Sequence, residues 1–258
     1  MNDSSHPTTP LAVRTLGEGP PVLLFHGGMG SWNHWTRNLS ALGTRFTVHA
    51  VDLPGYGGSG TVPKSVGKDE YIGLVVEEIR PIVGREPFRL AGFSFGGVVA
   101  AMVAARLGEQ VTKLSLMGVG GFGPLKKLGM RPIPDASAGE SARRDVLRHN
   151  LGVLMIADPA KITEESIDFY AENFRNTRYD GRGFSVSTNV VTSLEHIRCP
   201  VQFIYGDGDA LARTDLQRRG EIVRSLRPDA QFVVLPGAGH WVQYEAADEV
   251  NRLLLRFL

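Results

Sequence analysis

The sequence predicts an α/β protein with a doubly wound, mostly parallel sheet and a helical cap insertion. Three observations lead to this prediction. Short apolar runs alternate with segments of helical periodicity along most of the 258 residues, which is typical of a parallel sheet covered by helices. One apolar run, 88–91, enters a helix pattern through a tight glycine-rich turn. The alternation stops between about 120 and 189, where prolines and amphipathic helices replace it.

The individual elements follow from local patterns. Weak alternation at Leu11–Thr15 predicts an edge strand, and apolar runs predict further strands at 22–25, 46–51, 88–91, 111–117, 200–205 and 231–235. Apolar spacing predicts a helix at 71–82. Helices are also expected at 141–155 and at 163–176, where Thr163 precedes Glu164 and Glu165. We expect a core of 1–119 and 190–258, with 120–189 inserted between the sixth and seventh core strands as a cap.

A candidate nucleophile lies at the turn after the 88–91 run. Ser94 is the central residue of Gly92-Phe93-Ser94-Phe95-Gly96, a Gly-x-Ser-x-Gly sequence between a predicted strand and a predicted helix. Such a turn raises the serine oxygen above the sheet, and its glycines allow close approach of the neighbouring chain. With 31 glycines in the chain, a glycine-rich turn with a serine cap is the alternative.

A candidate base and acid follow in the chain order that this turn requires, Ser, then Asp or Glu, then His. His240 comes after the 231–235 strand and a Gly-Ala-Gly sequence. Two aspartates, Asp207 and Asp209, follow the 200–205 strand. We favour Asp209 as the acid, because Asp207 comes directly after a glycine and is suited to capping the turn.

Two further glycine-rich segments lie outside the serine turn. His26-Gly27-Gly28 follows a buried strand and suits an oxyanion loop, and no Gly-Lys-Ser/Thr follows that would indicate a P-loop. We interpret His26 as structural, and also Asp52, which precedes the nucleophile. The segment 118–123 matches Gly-x-Gly-x-x-Gly, but Pro124 follows it where a dinucleotide site needs a helix, so we interpret it as a flexible exit.

Together these motifs resemble the α/β-hydrolase fold of serine hydrolases, from about residue 21 to the C-terminus. The matching stretches are 26–28, 52–59, 92–96, 206–209 and 239–240. The stretch 239–245 and the sequence 162–165 most resemble the meta-cleavage-product hydrolases, which cut carbon–carbon bonds. Two positions depart from that subfamily: Phe93 replaces its asparagine, and Tyr170 stands where its cap arginine is expected.

The resemblance implies a mechanism without cofactor or metal. Ser94 attacks an acyl carbon, His240 transfers the proton, Asp209 orients the histidine, and the N–H groups of Gly28 and Phe95 hold the oxyanion. The favoured substrate is a small, mostly apolar carboxylic ester or lactone. Carbon–carbon bond hydrolysis is the alternative, and a triad-retaining ligand receptor or a cofactor-free oxygenase or perhydrolase also remains open.

Seven side chains near these loops or in the cap are candidates for lining the substrate pocket, and packing is an equal alternative for them. They are Met29, Trp32, Phe93, Tyr170, Phe174, Arg178 and Trp241.

Bulk properties narrow the class of protein. A net charge of +1 gives no reason to expect nucleic acid as a partner, and no apolar run reaches the ~20 residues of a membrane helix. The single cysteine, Cys199, excludes an intramolecular disulfide. The first ten residues lack the features of a signal peptide, so a cytoplasmic enzyme with a small-molecule substrate is expected. The sequence leaves the oligomeric state open.

Overall fold

The computed structural model describes residues 10–258. The segment 1–9 lies outside the described residues. It includes most of the ten residues on which the expectation about a signal peptide depends, and the start of the predicted core. Within the described part, seven strands form one sheet in the order β1-β3-β2-β4-β5-β6-β7. They are β1 Val13–Leu16, β2 Pro21–Phe25, β3 Thr47–Val51, β4 Phe88–Phe93, β5 Val111–Met117, β6 Val201–Gly206 and β7 Gln231–Leu235.

The sheet is parallel except at one edge. β1 pairs antiparallel with β3, with Val13 opposite Val51, whereas every other neighbouring pair of strands is parallel. All seven predicted strands are confirmed, with boundaries that differ by no more than two residues. From β2 the chain proceeds outward to β3 on one side, and then returns to β4 on the other side of β2. This reversal of direction places connections on both faces of the sheet, as a doubly wound fold requires.

Two apolar cores lie on opposite faces of the sheet. Alternate residues of β2 contribute to different cores: Leu23 and Phe25 to one, Val22 and Leu24 to the other. All four side chains are fully buried. Strands that are buried on both faces read as continuous apolar runs, which explains the clear strand signal of this segment in the sequence.

Helices cover both faces. In chain order the α-helices are α1 Leu39–Leu42, α2 Lys68–Val83, α3 Ser94–Leu107, α4 Glu140–Leu154, α5 Glu164–Arg175, α6 Arg182–Ser185, α7 Asn189–Leu194, α8 Leu216–Leu226, α9 Val242–Glu245 and α10 Ala247–Phe257. The predicted start of α5 has the expected chemistry: Thr163 Oγ1 accepts the N–H of Ser166 at 3.1 Å, and Ser166 Oγ accepts the N–H of Thr163 at 3.0 Å. This capping box satisfies two amide groups that the helix leaves free.

The helical insertion differs from the prediction in its place. The insertion, with α4 to α7, separates β5 from β6, so it follows the fifth strand rather than the sixth. The segment after β5 is also better held than the predicted flexible exit: Val119 and Phe122 are buried, and the N–H of Gly121 donates to Ser185 O at 2.9 Å. The side chain of Asn173 in α5 joins the insertion to the core. Its Oδ1 accepts the hydroxyl of Ser31 at 2.9 Å, and its Nδ2 donates to Asn33 Oδ1 at 2.8 Å.

Candidate active site

The predicted nucleophile lies in a strained turn between β4 and α3. Ser94 has a φ of 50°, one of two non-glycine residues in the left-handed region among residues 10–258. A Cβ on Gly92 would lie 2.5 Å from Gly96 O, and a Cβ on Gly96 would lie 2.1 Å from His26 O. Both distances are far below van der Waals contact, so both positions require glycine. The turn therefore needs its two glycines for the reason that the sequence suggested.

The side chains of Ser94, His240 and Asp209 form a hydrogen-bonded chain. His240 Nε2 lies 2.9 Å from Ser94 Oγ, and its Nδ1 lies 2.9 Å from Asp209 Oδ2. Asp209 is fully buried, and its Oδ1 accepts the N–H of Leu211 at 2.8 Å. Because the carboxylate only accepts, Nδ1 carries the proton and Nε2 is free to accept the serine hydroxyl proton. The three side chains predicted as nucleophile, base and orienting acid are thus within hydrogen-bond distance of one another.

Asp207 lies outside this chain. Its Oδ1 accepts the N–H of Gly237 at 2.8 Å, which joins the turn after β6 to the turn after β7. This contact agrees with the turn role expected for Asp207.

Gly28 and Phe95, the predicted oxyanion donors, are neighbours beside Ser94. A Cβ on Gly28 would lie 3.6 Å from Phe95 Cβ, and both residues line the same cavity as Ser94. Neither N–H donates to a protein acceptor in the part of the chain that the structure describes. The N–H of Phe95 is also at the first turn of α3, where the helix dipole favours negative charge. Two free donors at this place suit an oxyanion.

His26 and Asp52 support the loops around the site. His26 Nδ1–H donates to Gly27 O at 2.7 Å, and Nε2 accepts the N–H of Leu53 at 2.9 Å. Asp52 accepts the N–H of Trp32 at 2.6 Å and the N–H of Gly58 at 2.9 Å. Burial, partly offset by Asp52, lowers the pKa of His26, so the imidazole stays neutral and can accept. These contacts agree with the structural roles expected for both residues.

His34 is a further supporting residue that the sequence did not single out. Its Nδ1 accepts the N–H of Gly27 at 3.1 Å, and its ring centroid lies 5.3 Å from that of Phe93 and 5.0 Å from that of Trp241. Burial, together with His26 and His240, holds the pKa of His34 well below 6.5. The neutral ring thus holds the loop that contains Gly27 and Gly28. The only local sign of its burial in the sequence was the presence of Trp32 and Trp35 close by.

A cavity of about 800 Å³ opens above Ser94. Met29, Phe93 and Arg178 line it, as predicted for the pocket, and so does His240. Its wall is largely apolar and includes residues from the insertion that the sequence did not suggest: Leu125, Leu128, Met130, Leu154, Met155 and Val186.

The four basic residues that line this cavity differ in their availability. The guanidinium of Arg178 bonds backbone carbonyls, among them Gly57 O at 3.1 Å and Asn176 O at 3.0 Å, together with Ser59 O. Arg182 pairs with Asp180 at 2.6 Å. Lys126 and Lys127 are exposed at the wall of the cavity.

Four of the predicted pocket residues lie elsewhere. Trp32 borders a separate cavity of about 560 Å³, with the guanidinium of Arg14 4.1 Å from its ring centroid. Tyr170 packs in an apolar core, where burial raises its pKa to about 12. Phe174 is 45% exposed, and Trp241 is buried against Tyr244 with a ring separation of 4.1 Å. Tyr170 and Trp241 therefore serve packing, Phe174 faces solvent, and Trp32 belongs to the other cavity.

Residues 10–258 also bear on other kinds of site. No group of three or more His, Cys, Asp or Glu side chains is arranged to hold a metal ion. None of the helices in that range has the length and apolar character to cross a membrane. Cys199 is buried, and burial raises the pKa of its thiol to about 11, which disfavours the reactive thiolate.

Fold and site together define an α/β hydrolase. The chain belongs to the alpha/beta hydrolase family, whose model matches residues 22–253. It is 31% identical to a 2-hydroxy-6-oxononadienedioate/2-hydroxy-6-oxononatrienedioate hydrolase from Comamonas testosteroni, over 95% of this chain and 90% of the relative. It is 30% identical to a 2-hydroxy-6-oxo-6-phenylhexa-2,4-dienoate hydrolase from Burkholderia cepacia, with the same coverage of 95% and 90%. The predicted fold class, the hydrolase class and the likeness to meta-cleavage-product hydrolases are thereby confirmed.

Solved structures confirm the fold. A meta-cleavage product hydrolase from Pseudomonas fluorescens matches with a TM-score of 0.74 at 23% identity, covering 96% of this chain and 94% of that one. A carboxylesterase from Bacillus subtilis matches with a TM-score of 0.75 at 20% identity, covering 98% and 89%. The same architecture therefore occurs in a protein named as a meta-cleavage product hydrolase and in one named as a carboxylesterase.

Proposed function

We propose that the protein is a serine hydrolase that cleaves a carboxylic ester or lactone of a small, mostly apolar substrate. The observation that carries this proposal is the hydrogen-bonded chain from Ser94 through His240 to Asp209 at an apolar cavity. Ser94 Oγ attacks the acyl carbon while His240 Nε2 takes its proton, and Asp209 stabilises the imidazolium that forms. His240 then returns the proton to the leaving alkoxide.

The oxyanion of the tetrahedral intermediate is held by the N–H groups of Gly28 and Phe95 in this proposal. Each such donor typically contributes ~3 kcal/mol of transition-state stabilisation. Water, activated by His240, then attacks the acyl-enzyme and releases the acid.

Carbon–carbon bond hydrolysis is the second candidate. It is favoured by the names of relatives near 30% identity that match over most of both chains. Three features of the pocket favour the ester instead. Phe93 lines the cavity with an apolar ring, Tyr170 lies outside it, and Arg178 is occupied by backbone carbonyls. A substrate carboxylate buried near Ser94 would thus lack a free arginine, since Lys126 and Lys127 lie at the exposed wall of the cavity, and an unpaired buried charge costs several kcal/mol.

A burst assay with short nitrophenyl esters tests the proposal. Rapid release of one equivalent of nitrophenol per protein, followed by slower turnover, is the expected sign of an acyl-enzyme. The same assay on Ser94→Ala should show neither phase. Binding without a burst or turnover would favour a ligand receptor, and peracid formation from an acid and peroxide would favour a perhydrolase.

A further inference from the structure

The carboxylate of Glu245 joins two separate segments beside the candidate site. Glu245 is 5% exposed, and its side chain accepts three backbone N–H groups. Oε2 accepts from Gly239 at 2.7 Å and from Ala157 at 3.0 Å, and Oε1 accepts from Asp158 at 2.8 Å. No basic side chain in the range 10–258 forms an ion pair with this carboxylate. Lys161 Nζ donates to the backbone carbonyl of Glu245 at 3.1 Å instead.

The two segments have different functions in the site. Gly239 directly precedes His240 in the turn after β7. The segment 155–158 follows α4 in the insertion and includes Met155, whose side chain lines the cavity. A second bond joins the same segments, from the N–H of Trp241 to Met155 O at 2.8 Å. Both sequence neighbours of His240 are therefore joined to the insertion. Trp241 is bonded to it directly, and Gly239 is bonded to it through the carboxylate of Glu245.

The backbone at Gly239 packs closely against the segment 155–158 and against Glu245. A Cβ on Gly239 would lie 2.7 Å from Ala157 N and 2.9 Å from both Met155 O and Glu245 Oε2. An ion buried without a cation is unfavourable unless hydrogen bonds replace its hydration, and here three N–H groups do so. If packing alone mattered at position 245, an apolar side chain would avoid that cost.

We propose that Glu245 is a positioning residue that couples the seating of the insertion to the placement of His240. The bonds of His240 to Asp209 and Ser94 act on the ring nitrogens, whereas the carboxylate of Glu245 fixes the backbone from which the ring projects. The coupling is reciprocal: the segment 155–158 that shapes the pocket also holds the base. This inference rests on the proposed serine hydrolase function.

Glu245→Gln is the first test. An amide has a single acceptor oxygen, so it cannot accept from Asp158 on one side and from Gly239 and Ala157 on the other. We expect kcat per active site to fall by about 10- to 100-fold, since a displacement of the order of 1 Å at a catalytic group has such an effect. KM should change much less, because most of the apolar wall of the cavity lies outside the segment 155–158.

Active-site titration with a fluorophosphonate separates positioning from general destabilisation. The matched control is Glu164→Gln, which removes an exposed carboxylate of the same insertion that pairs with Arg144 and Arg148. The control should keep kcat per titrated site. A Glu245→Gln protein with unchanged kcat per titrated site would overturn the proposal, whatever its melting temperature.

A second variant covers the case in which Glu245→Gln does not fold. Glu245→Asp keeps the charge but is one methylene shorter, so it reaches one segment and not both. We expect its kcat per titrated site to fall. Amide hydrogen exchange should become faster either at Gly239 or at Ala157 and Asp158. If neither kcat per titrated site nor the exchange rates change, the coupling is refuted. A wild-type protein that is neither titrated nor active would instead refute the serine hydrolase function itself.

Discussion

Replacing Asp209 by asparagine removes one charge from a fully buried position and tests the orientation of His240. The two oxygens of Asp209 have different partners: Oδ2 faces His240 Nδ1 at 2.9 Å, and Oδ1 accepts the N–H of Leu211 at 2.8 Å. If the asparagine oxygen keeps Leu211, its NH₂ group faces Nδ1. Nδ1 must then be the acceptor, and the proton moves to Nε2, which can no longer accept from Ser94.

Flipping the asparagine amide does not restore the native arrangement without cost. The oxygen would then face Nδ1–H, but the NH₂ group would face the N–H of Leu211. Two buried donors in contact leave at least one unsatisfied, at a cost of about 1–3 kcal/mol. Loss of the carboxylate also removes the charge that stabilises the imidazolium. Together these effects should lower kcat by about 10⁴-fold, or about 5.4 kcal/mol of activation free energy.

The matched control is Asp207→Asn, two residues away. Asp207 is exposed and accepts a single N–H, from Gly237 at 2.8 Å, which an asparagine oxygen also accepts. Steady-state hydrolysis of a nitrophenyl ester, measured side by side with thermal unfolding, should show a large loss of kcat in Asp209→Asn and little change in Asp207→Asn. The reverse ranking would mean that Asp207, not Asp209, is the acid.

Three further predictions concern the same site. Ser94→Ala should lower kcat by about 10⁶-fold without loss of fold, as measured by ester hydrolysis and circular dichroism; retention of a few per cent of activity would contradict its role. His26 and His34 have pKa values held below 6.5 by burial, so the unfolded chain binds protons that the folded one does not. The free energy of unfolding should therefore fall below that pH by up to about 1.4 kcal/mol per pH unit for each histidine, and His34→Asn should remove one contribution in urea titrations. An unchanged slope in that variant would oppose the assignment. A neutral short ester should be a better substrate than a carboxylated dienol by kcat/KM; a dienol preference of 100-fold, about 2.7 kcal/mol, would reverse the argument from Phe93 and Arg178.

Features with a local physical cause were predictable from the sequence. The glycines on either side of Ser94 predict the tight turn, and a continuous apolar run predicts the strand β2. The order of Ser94, Asp209 and His240 along the chain suggested the three side chains that the fold brings within hydrogen-bond distance. In each case the information lies within a few residues, or in the rule that parallel strands end at one edge of the sheet.

Features that depend on which way a side chain faces were not predictable. Trp32 and Trp241 follow loops of the site directly, yet one borders another cavity and the other stacks on Tyr244. The reverse holds for Leu125 and Leu128, which line the cavity from a loop whose sequence gave no sign of it. His34 lies in the same short 3₁₀ helix as Trp32, Trp32–Trp35, and only its tertiary contacts distinguish it. A loop has no fixed period, so nothing in the sequence determines the face that its residues present.

The carbonyl contacts of Arg178 have a consequence for protein engineering. Its guanidinium and backbone hold the loop 55–59 of the core, including an N–H bond to Gly55 O at 2.8 Å. A chimera that exchanges only 120–189 with a relative would leave those carbonyls without donors, or bring a side chain that collides with them. The unit that can be transplanted is therefore discontinuous in sequence: the insertion together with its receiving loop. Libraries that recombine both pieces as one block should yield a larger fraction of folded chimeras than libraries cut at the ends of the insertion.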